Sequence, residues 1–472
     1  MKKLFCILLV TMMVLSLCAC GTSQPEPETP VFQAGFGREN VMPKDITAAH
    51  LAGGDDASRK ATGFLDYLFV TCVAIKDKTG ETALIYTMDL ILADENFVGP
   101  IRKLISGATN VKEENIMIAA THTHSAVSVR YSWDGSAQYK EMFQLAMIAA
   151  AETAIADLSP ADLYIGSTQA EDLVFVRHYL LKDGTVTSSG VGAGSDLIAG
   201  HPAEKDAEVQ IIRFARPAED KKDVVLVSFN SHPTFNEGGL MISADFPSPT
   251  RDYIESQGDY LVAYFTGDAG NQEEYSKIIA ENHGLDYRGF GQKLGQYVID
   301  AMPTLKQIET GNIKVLRRTN MVNSNKERLD MYMQASEVMA LKRQSGIDAA
   351  NELAKEYGLY LYLEASSILN RAEYPDQIPI TLSTLSIGDY LSFAFAPYEM
   401  FSENGSYIRA NSPFNMTFLV SCANGSESYI PSTAAMEYGC YEGYVTRYER
   451  GSGEAFAKEF VDMATELKNT NQ

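Results

Sequence analysis

The chain has 472 residues, 45% of them apolar and 21% charged, with 61 acidic against 39 basic residues and a net charge of −22. Such a composition describes a globular protein able to bury a substantial core, and its charge argues against nucleic acid as a partner. Six cysteines with no CxxC spacing argue against a disulfide framework and a thiolate metal site, a Cys422–Cys440 bridge being allowed but not favoured.

Lys2 and Lys3 precede an apolar stretch from Leu4 to Leu17, which runs into Leu17-Cys18-Ala19-Cys20. The pattern predicts a lipoprotein signal peptide over residues 1–20, with Cys20 as the lipidated new N-terminus; the alternative is an uncleaved anchor helix. The stretch is shorter than the roughly 20 residues that span a bilayer. Residues 21–30, rich in Pro, Glu, Thr and Ser, have too few apolar side chains to fold and read as a disordered tether. Residues 31–472 show no linker-like shift of composition and no internal repeat, and read as one large catalytic domain. The expectation is an exported, membrane-anchored protein working outside the cytoplasm, with no protein partner indicated.

Short apolar runs with strand character follow in order: Tyr67 to Ile75, Ala83 to Met88, Ile116 to Ala120, Val224 to Phe229, Tyr260 to Phe265, Leu391 to Ala396 and Met416 to Cys422. Helical periodicity marks Gln138 to Leu158 and Phe290 to Met302. The fold class is α/β, with mixed β-sheets covered by helices. Polar residues follow five of the strands at once: Thr121-His122-Thr123-His124-Ser125, Asn230-Ser231-His232-Pro233-Thr234, Thr266 to Gln272, Pro397-Tyr398-Glu399-Met400 and Asn424 to Tyr429. Strand carboxyl ends are where open α/β sheets build their sites.

Two of only seven histidines, His122 and His124, sit two residues apart. In an extended segment they point the same way, either as two ligands or as one ligand and one acid/base group. Such a pair also arises as a surface coincidence or a capped turn. His232, held by the following Pro233, strengthens the metal reading. Asp268, a candidate catalytic residue, and Asn271 lie in a turn where Gly267 and Gly270 allow φ > 0 and close backbone approach. That turn either supports a metal shell, presents amides to an oxyanion, or is a plain tight turn. Arg177 and His178 follow Leu173 to Val176 and precede a hairpin-like turn at Lys182-Asp183-Gly184; Arg177 could hold a substrate carboxylate or carbonyl, or make a surface ion pair.

On these residues the chain resembles the neutral ceramidases, zinc amidases that cleave the N-acyl bond of ceramide. The resemblance runs from Gly35-Phe36-Gly37-Arg38 and Asp89 through Thr121 to Ser125 and on to Tyr441-Glu442-Gly443. It implies one zinc ion per chain, held by His122, His232, Glu399 of Pro397-Tyr398-Glu399-Met400 and Tyr429 of Tyr429-Ile430-Pro431. It implies further that His124 transfers protons and that Tyr441 and Arg177 stabilise the oxyanion. Three departures stand out. The serine of the family's Gly-Asp-Val-Ser-Pro-Asn loop is replaced by Gly270, the Gly-Pro-Gly-Gly after its histidine pair reads Ala126-Val127-Ser128-Val129, and the C-terminal immunoglobulin-like domain of ceramidases is not expected. The expectation is therefore a zinc hydrolase in which metal-bound water attacks an amide of a lipid-like or small-molecule substrate, ceramide itself being in doubt. The alternatives are an esterase or other metallohydrolase, or a catalytically inactive ligand-binding lipoprotein. A metallo-β-lactamase would want an aspartate where Ala126 stands.

Overall fold

The computed structural model describes residues 31–53, 59–188, 194–274, 284–425 and 427–470, so the expected signal peptide and tether lie outside the described residues. The three largest sheets share one plan. In the first, Gln33–Asn40, Phe69–Lys76 and Thr82–Met88 pair antiparallel in sequence order; helix Glu95–Thr109 then crosses over to Ile116–Ala120, which pairs parallel with Thr82–Met88. The second repeats this with Asp162–Gln169, Glu208–Ala215 and Asp223–Phe229, helix Pro247–Ser256 and the parallel strand Tyr260–Thr266. The third uses Ile313–Asn323, Gln377–Ile387 and Leu391–Phe395, helix Ser402–Asn411 and Met416–Val420. A further helix closes each unit, at Ser136–Ala156, Tyr287–Ala301 and Ser452–Asn469, and packs back on that unit's first strands. The sequence carries no visible repeat because what recurs is the order of elements, not the residues.

The inner faces of the three sheets share one core, in which Ile85 and Met117 of the first meet Leu226 and Phe265 of the second and Phe393 and Phe418 of the third. The outer faces bury under the helices. Both faces being covered, the parallel strands are mostly apolar, and all seven strands and both helices read from the sequence are present within three residues of their expected ends. The first helix-on-sheet contact explains the glycines of Gly35-Phe36-Gly37-Arg38. A Cβ at Gly35 or Gly37 would lie 2.1 Å from Ala154 O or Ala150 O, so only glycine lets Ser136–Ala156 approach. The third unit carries a helical insertion, Tyr332–Ser345, Ile347–Glu356 and Tyr362–Glu373, with a small core of its own. Cys72, Cys422 and Cys440 are buried and free, without a Cys422–Cys440 bridge. Among the described residues no helix is long and apolar enough to cross a membrane.

Candidate metal centre

The parallel strand pairs of the three sheets end at one place, where their backbones bond to each other. Asn424 N donates to Ile118 O (2.7 Å), Ser421 N to Thr266 O (2.8 Å) and the Thr266 hydroxyl to Thr121 O (2.7 Å). His122 and His124 stand beyond the first sheet, His232 beyond the second, and Glu399 and Tyr429 beyond the third. One expectation needs correcting. The histidine pair is not extended, because His122 is left-handed at φ 66°. The rings converge all the same, with His122 and His124 Nε2 atoms 3.4 Å apart.

Glu399 Oε2 lies 3.1 Å from His122 Nε2 and 3.0 Å from His232 Nε2. The opposite ring nitrogens face acceptors as well. His122 Nδ1 meets Ile91 O at 2.7 Å, His232 Nδ1 meets Ala269 O at 2.6 Å and His124 Nδ1 meets Glu237 Oε1 at 2.7 Å. Carbonyl and carboxylate oxygens only accept, so each Nδ1 carries a proton; the Nε2 atoms of His122 and His232 also face a carboxylate, and each there either carries a second proton or presents its lone pair to a cation. Three Nε2 atoms and a carboxylate thus face one another, an arrangement that repels itself unless a cation or extra protons sit among them. The donor set fits a small divalent cation, and the oxygens on Nδ1 orient the rings as metal-binding histidines require. Ring nitrogens of His122, His124 and His232 lie within 4.8 Å of one another.

Burial lowers two of the three imidazoles, whereas the Cys422 and Glu399 charges outweigh it at His122 and hold that ring well above its ordinary value. Burial pushes the His232 imidazole down to about 4, helped by the Arg177 charge, and it lowers His124 as well. Burial also works to raise the Glu399 carboxyl, but His122 and His232 outweigh it and hold the group well below its ordinary range. The buried Tyr429 phenol is raised well above its usual value, the Glu399 charge adding to burial. Its ring stacks on His232 at 6.4 Å between centroids, and Tyr441 meets it edge-on at 5.8 Å. Arg177 Cζ lies 5.3 Å from the centre of the same Tyr429 ring.

Asp268 departs from expectation. Its buried carboxylate packs against Gly405 and bonds Arg409, and it bonds none of the histidines. Its turn serves through carbonyls instead: Ala269 O orients His232, and Gly270 O and Asn271 O hold the Arg177 side chain and amide. Gly267 and Gly270 do not adopt positive φ. They are needed for close approach, since a Cβ at Gly270 would sit 2.8 Å from Glu399 O and 2.7 Å from Met400 O. Sequence reasoning missed Glu237, Ile91 and the His178–Glu442 pair, all of which act on the site from distant chain positions. Of the other histidines, His50 stacks on Trp133, His201 bonds His178 O, and His283 lies outside the described residues.

Solved structures share this architecture. A ceramidase complexed with C2 aligns with a TM-score of 0.69 at 18% identity, covering 93% of this chain and 76% of that one. The neutral ceramidase from Pseudomonas aeruginosa aligns at 0.68 and 16% identity, covering 93% and 75%. No protein-family model and no curated protein matches the chain. Identities this low carry the architecture alone, and on that evidence the chain has the neutral-ceramidase fold.

Proposed function

We propose that the protein is a zinc-dependent hydrolase that cleaves an N-acyl amide of a lipid-like or small-molecule substrate. The observation that carries this is the ring of ligand-type atoms, three imidazole Nε2 atoms and the Glu399 carboxylate with neighbours 3.0–3.4 Å apart, on a ceramidase fold. His122, His232, Glu399 and Tyr429 would hold one ion per chain, which supplies Lewis acidity toward a carbonyl and toward water. His124, neutral because burial lowers it, takes the proton of the attacking water at Nε2 and passes it to the leaving amine. Glu237 keeps that ring in the tautomer the transfer needs. Arg177 and Tyr441 donate to the carbonyl oxygen as charge develops on it. Asp268 has a supporting part, held with Asp206 and Glu208 around Arg409. With Gly270 where ceramidases carry serine, no hydroxyl is available there, and water attacks directly. The lipobox pattern makes this an exported enzyme anchored through Cys20; Cys20→Ser should leave the membrane fraction, and unchanged fractionation would refute the anchor.

The test pairs metal analysis with turnover of a panel of N-acyl amides, lipids and esters. The purified protein should hold near one equivalent of zinc, and less than about half an equivalent of any transition metal would remove the site. His122→Ala should lose zinc, whereas His124→Ala should keep it and lose roughly 10²- to 10⁴-fold in turnover, as loss of a general acid/base does. Zinc kept in the first and lost in the second would reverse the two roles.

A further inference from the structure

Behind Arg177 runs a buried polar chain that the reaction above does not use. Glu442 Oε1 takes both Arg177 Nε (2.6 Å) and Nη2 (2.5 Å), while Oε2 takes His178 Nε2 (2.8 Å). A carboxylate only accepts, so His178 donates from Nε2; in the neutral ring its Nδ1 then receives the Tyr438 hydroxyl, 2.9 Å away. His178 and Glu442 side chains are fully buried, whereas Arg177 is 16% exposed. With Nη2 also on Gly270 O, Nε and Nη2 are both committed, and the guanidinium lies against the Tyr429 ring.

His178, Cys440 and Glu442 also place three ligand-type atoms within 4.8 Å, the arrangement of a second metal site. The charge speaks against that use. Arg177 already neutralises Glu442, whose carboxyl it holds far below the usual range against the burial that would raise it. A cation there would have to displace the guanidinium.

We propose that Glu442 and His178 are positioning residues that fix the Arg177 guanidinium over Tyr429 for the substrate's carbonyl oxygen. The inference rests on the hydrolase reading and extends it. An arginine side chain carries several rotatable bonds, and a single point of attachment would let it swing; two bonds to one carboxylate oxygen, itself pinned by His178, hold the planar fork in one place. Glu442 also sits beside Tyr441 in the short helix Tyr441–Val445, so the carboxylate that holds Arg177 belongs to the segment that carries the other proposed oxyanion donor.

The experiment is a double-mutant cycle on the full zinc-loaded chain with the N-acyl amide it hydrolyses best. Glu442→Gln keeps the shape and removes the charge. It should lower kcat roughly 10- to 100-fold with little change in KM and zinc content, the loss usual when a supporting partner goes. Arg177→Ala should lower kcat more, and the double variant should be no slower than Arg177→Ala alone. Additive losses, or a Glu442→Gln enzyme with the parent kcat, would overturn the positioning role. If Glu442→Gln does not fold, His178→Phe enters the same cycle under the same criteria. If the parent turns over nothing in the panel, the hydrolase reading falls by itself. Positioning is then judged by crystal structures, which should show the guanidinium displaced from Tyr429 in the variant; an unmoved guanidinium overturns it.

Discussion

Gly270 shows how a single residue ties two strand ends together. Its amide donates to Met400 O at 2.6 Å, and a Cβ would lie 2.8 Å from Glu399 O, so the turn that orients His232 and the backbone that carries Glu399 touch with no room for a side chain. Gly270→Ser should push Glu399 away and weaken zinc binding roughly 10- to 100-fold, as misplacing a ligand's support does. Competition with a chelator measures it; undiminished affinity would mean that the backbone yields. Asp245 makes a pH-dependent contribution elsewhere. Burial is the main cause that raises its carboxyl to about 6 from 3.8, with Asp66 adding charge. The folded state therefore holds this proton more tightly than the unfolded chain. The resulting stability is whole below about pH 4 and is lost as pH rises through 6, a change of about 3 kcal/mol at 1.36 kcal/mol per unit. Asp245 is left-handed at φ 59°, which asparagine tolerates, so Asp245→Asn should remove that slope without strain. Denaturant midpoints of parent and variant between pH 4 and 7 should diverge, and parallel curves would refute the assignment.

Among the elements, the joint between the first two sheets rests on a buried ion pair. Arg251, from helix Pro247–Ser256, meets Asp89 at the end of Thr82–Met88 with two 2.8 Å bonds, and Asp89 also takes the Phe69 amide and, at 3.3 Å, the Thr121 hydroxyl. Removing one partner of such a pair leaves the other charge buried and costs about 3–5 kcal/mol. Asp89→Ala should lower stability by that amount and weaken zinc binding, because Thr121 precedes His122; urea titration with and without zinc checks both. Legibility follows burial in the same way. Ile116–Ala120 and Tyr260–Thr266 read from the sequence because both faces are covered, whereas Gln33–Asn40, Glu208–Ala215 and Ile313–Asn323 carry charged side chains that break the apolar signal. His122 and His232 were legible as histidines directly after such strands, whereas Glu399 and Tyr429 stood out as candidate ligands only through the family resemblance. Glu237 acts on His124 across 113 positions and His178 on Glu442 across 264, and no local pattern carries pairings of that span.

At the scale of the molecule, the three units contribute unequally to one point. Each supplies a parallel pair aimed at the centre, yet the first gives His122 and His124, the second His232, and the third Glu399 and Tyr429. A cation held there bridges all three sheets, and none of the three alone offers more than part of the donor set. Residues from Phe32 onward form one compact unit, so the unfolded chain, with these ligands up to 307 positions apart, has no preformed site to compete for the ion. Binding to the folded state alone stabilises by RT ln(1 + [L]/Kd), about 4 kcal/mol when free metal is a thousandfold above Kd. Chelation should therefore lower the melting temperature of the whole chain in a single transition, not loosen one sheet ahead of the others. Calorimetry with chelator and after zinc is restored reads this directly. A melting temperature that does not respond to chelator, in protein shown to hold zinc beforehand, would mean that the ion does not join the three sheets. A second, earlier transition on chelation would mean that one unit depends on it more than the rest.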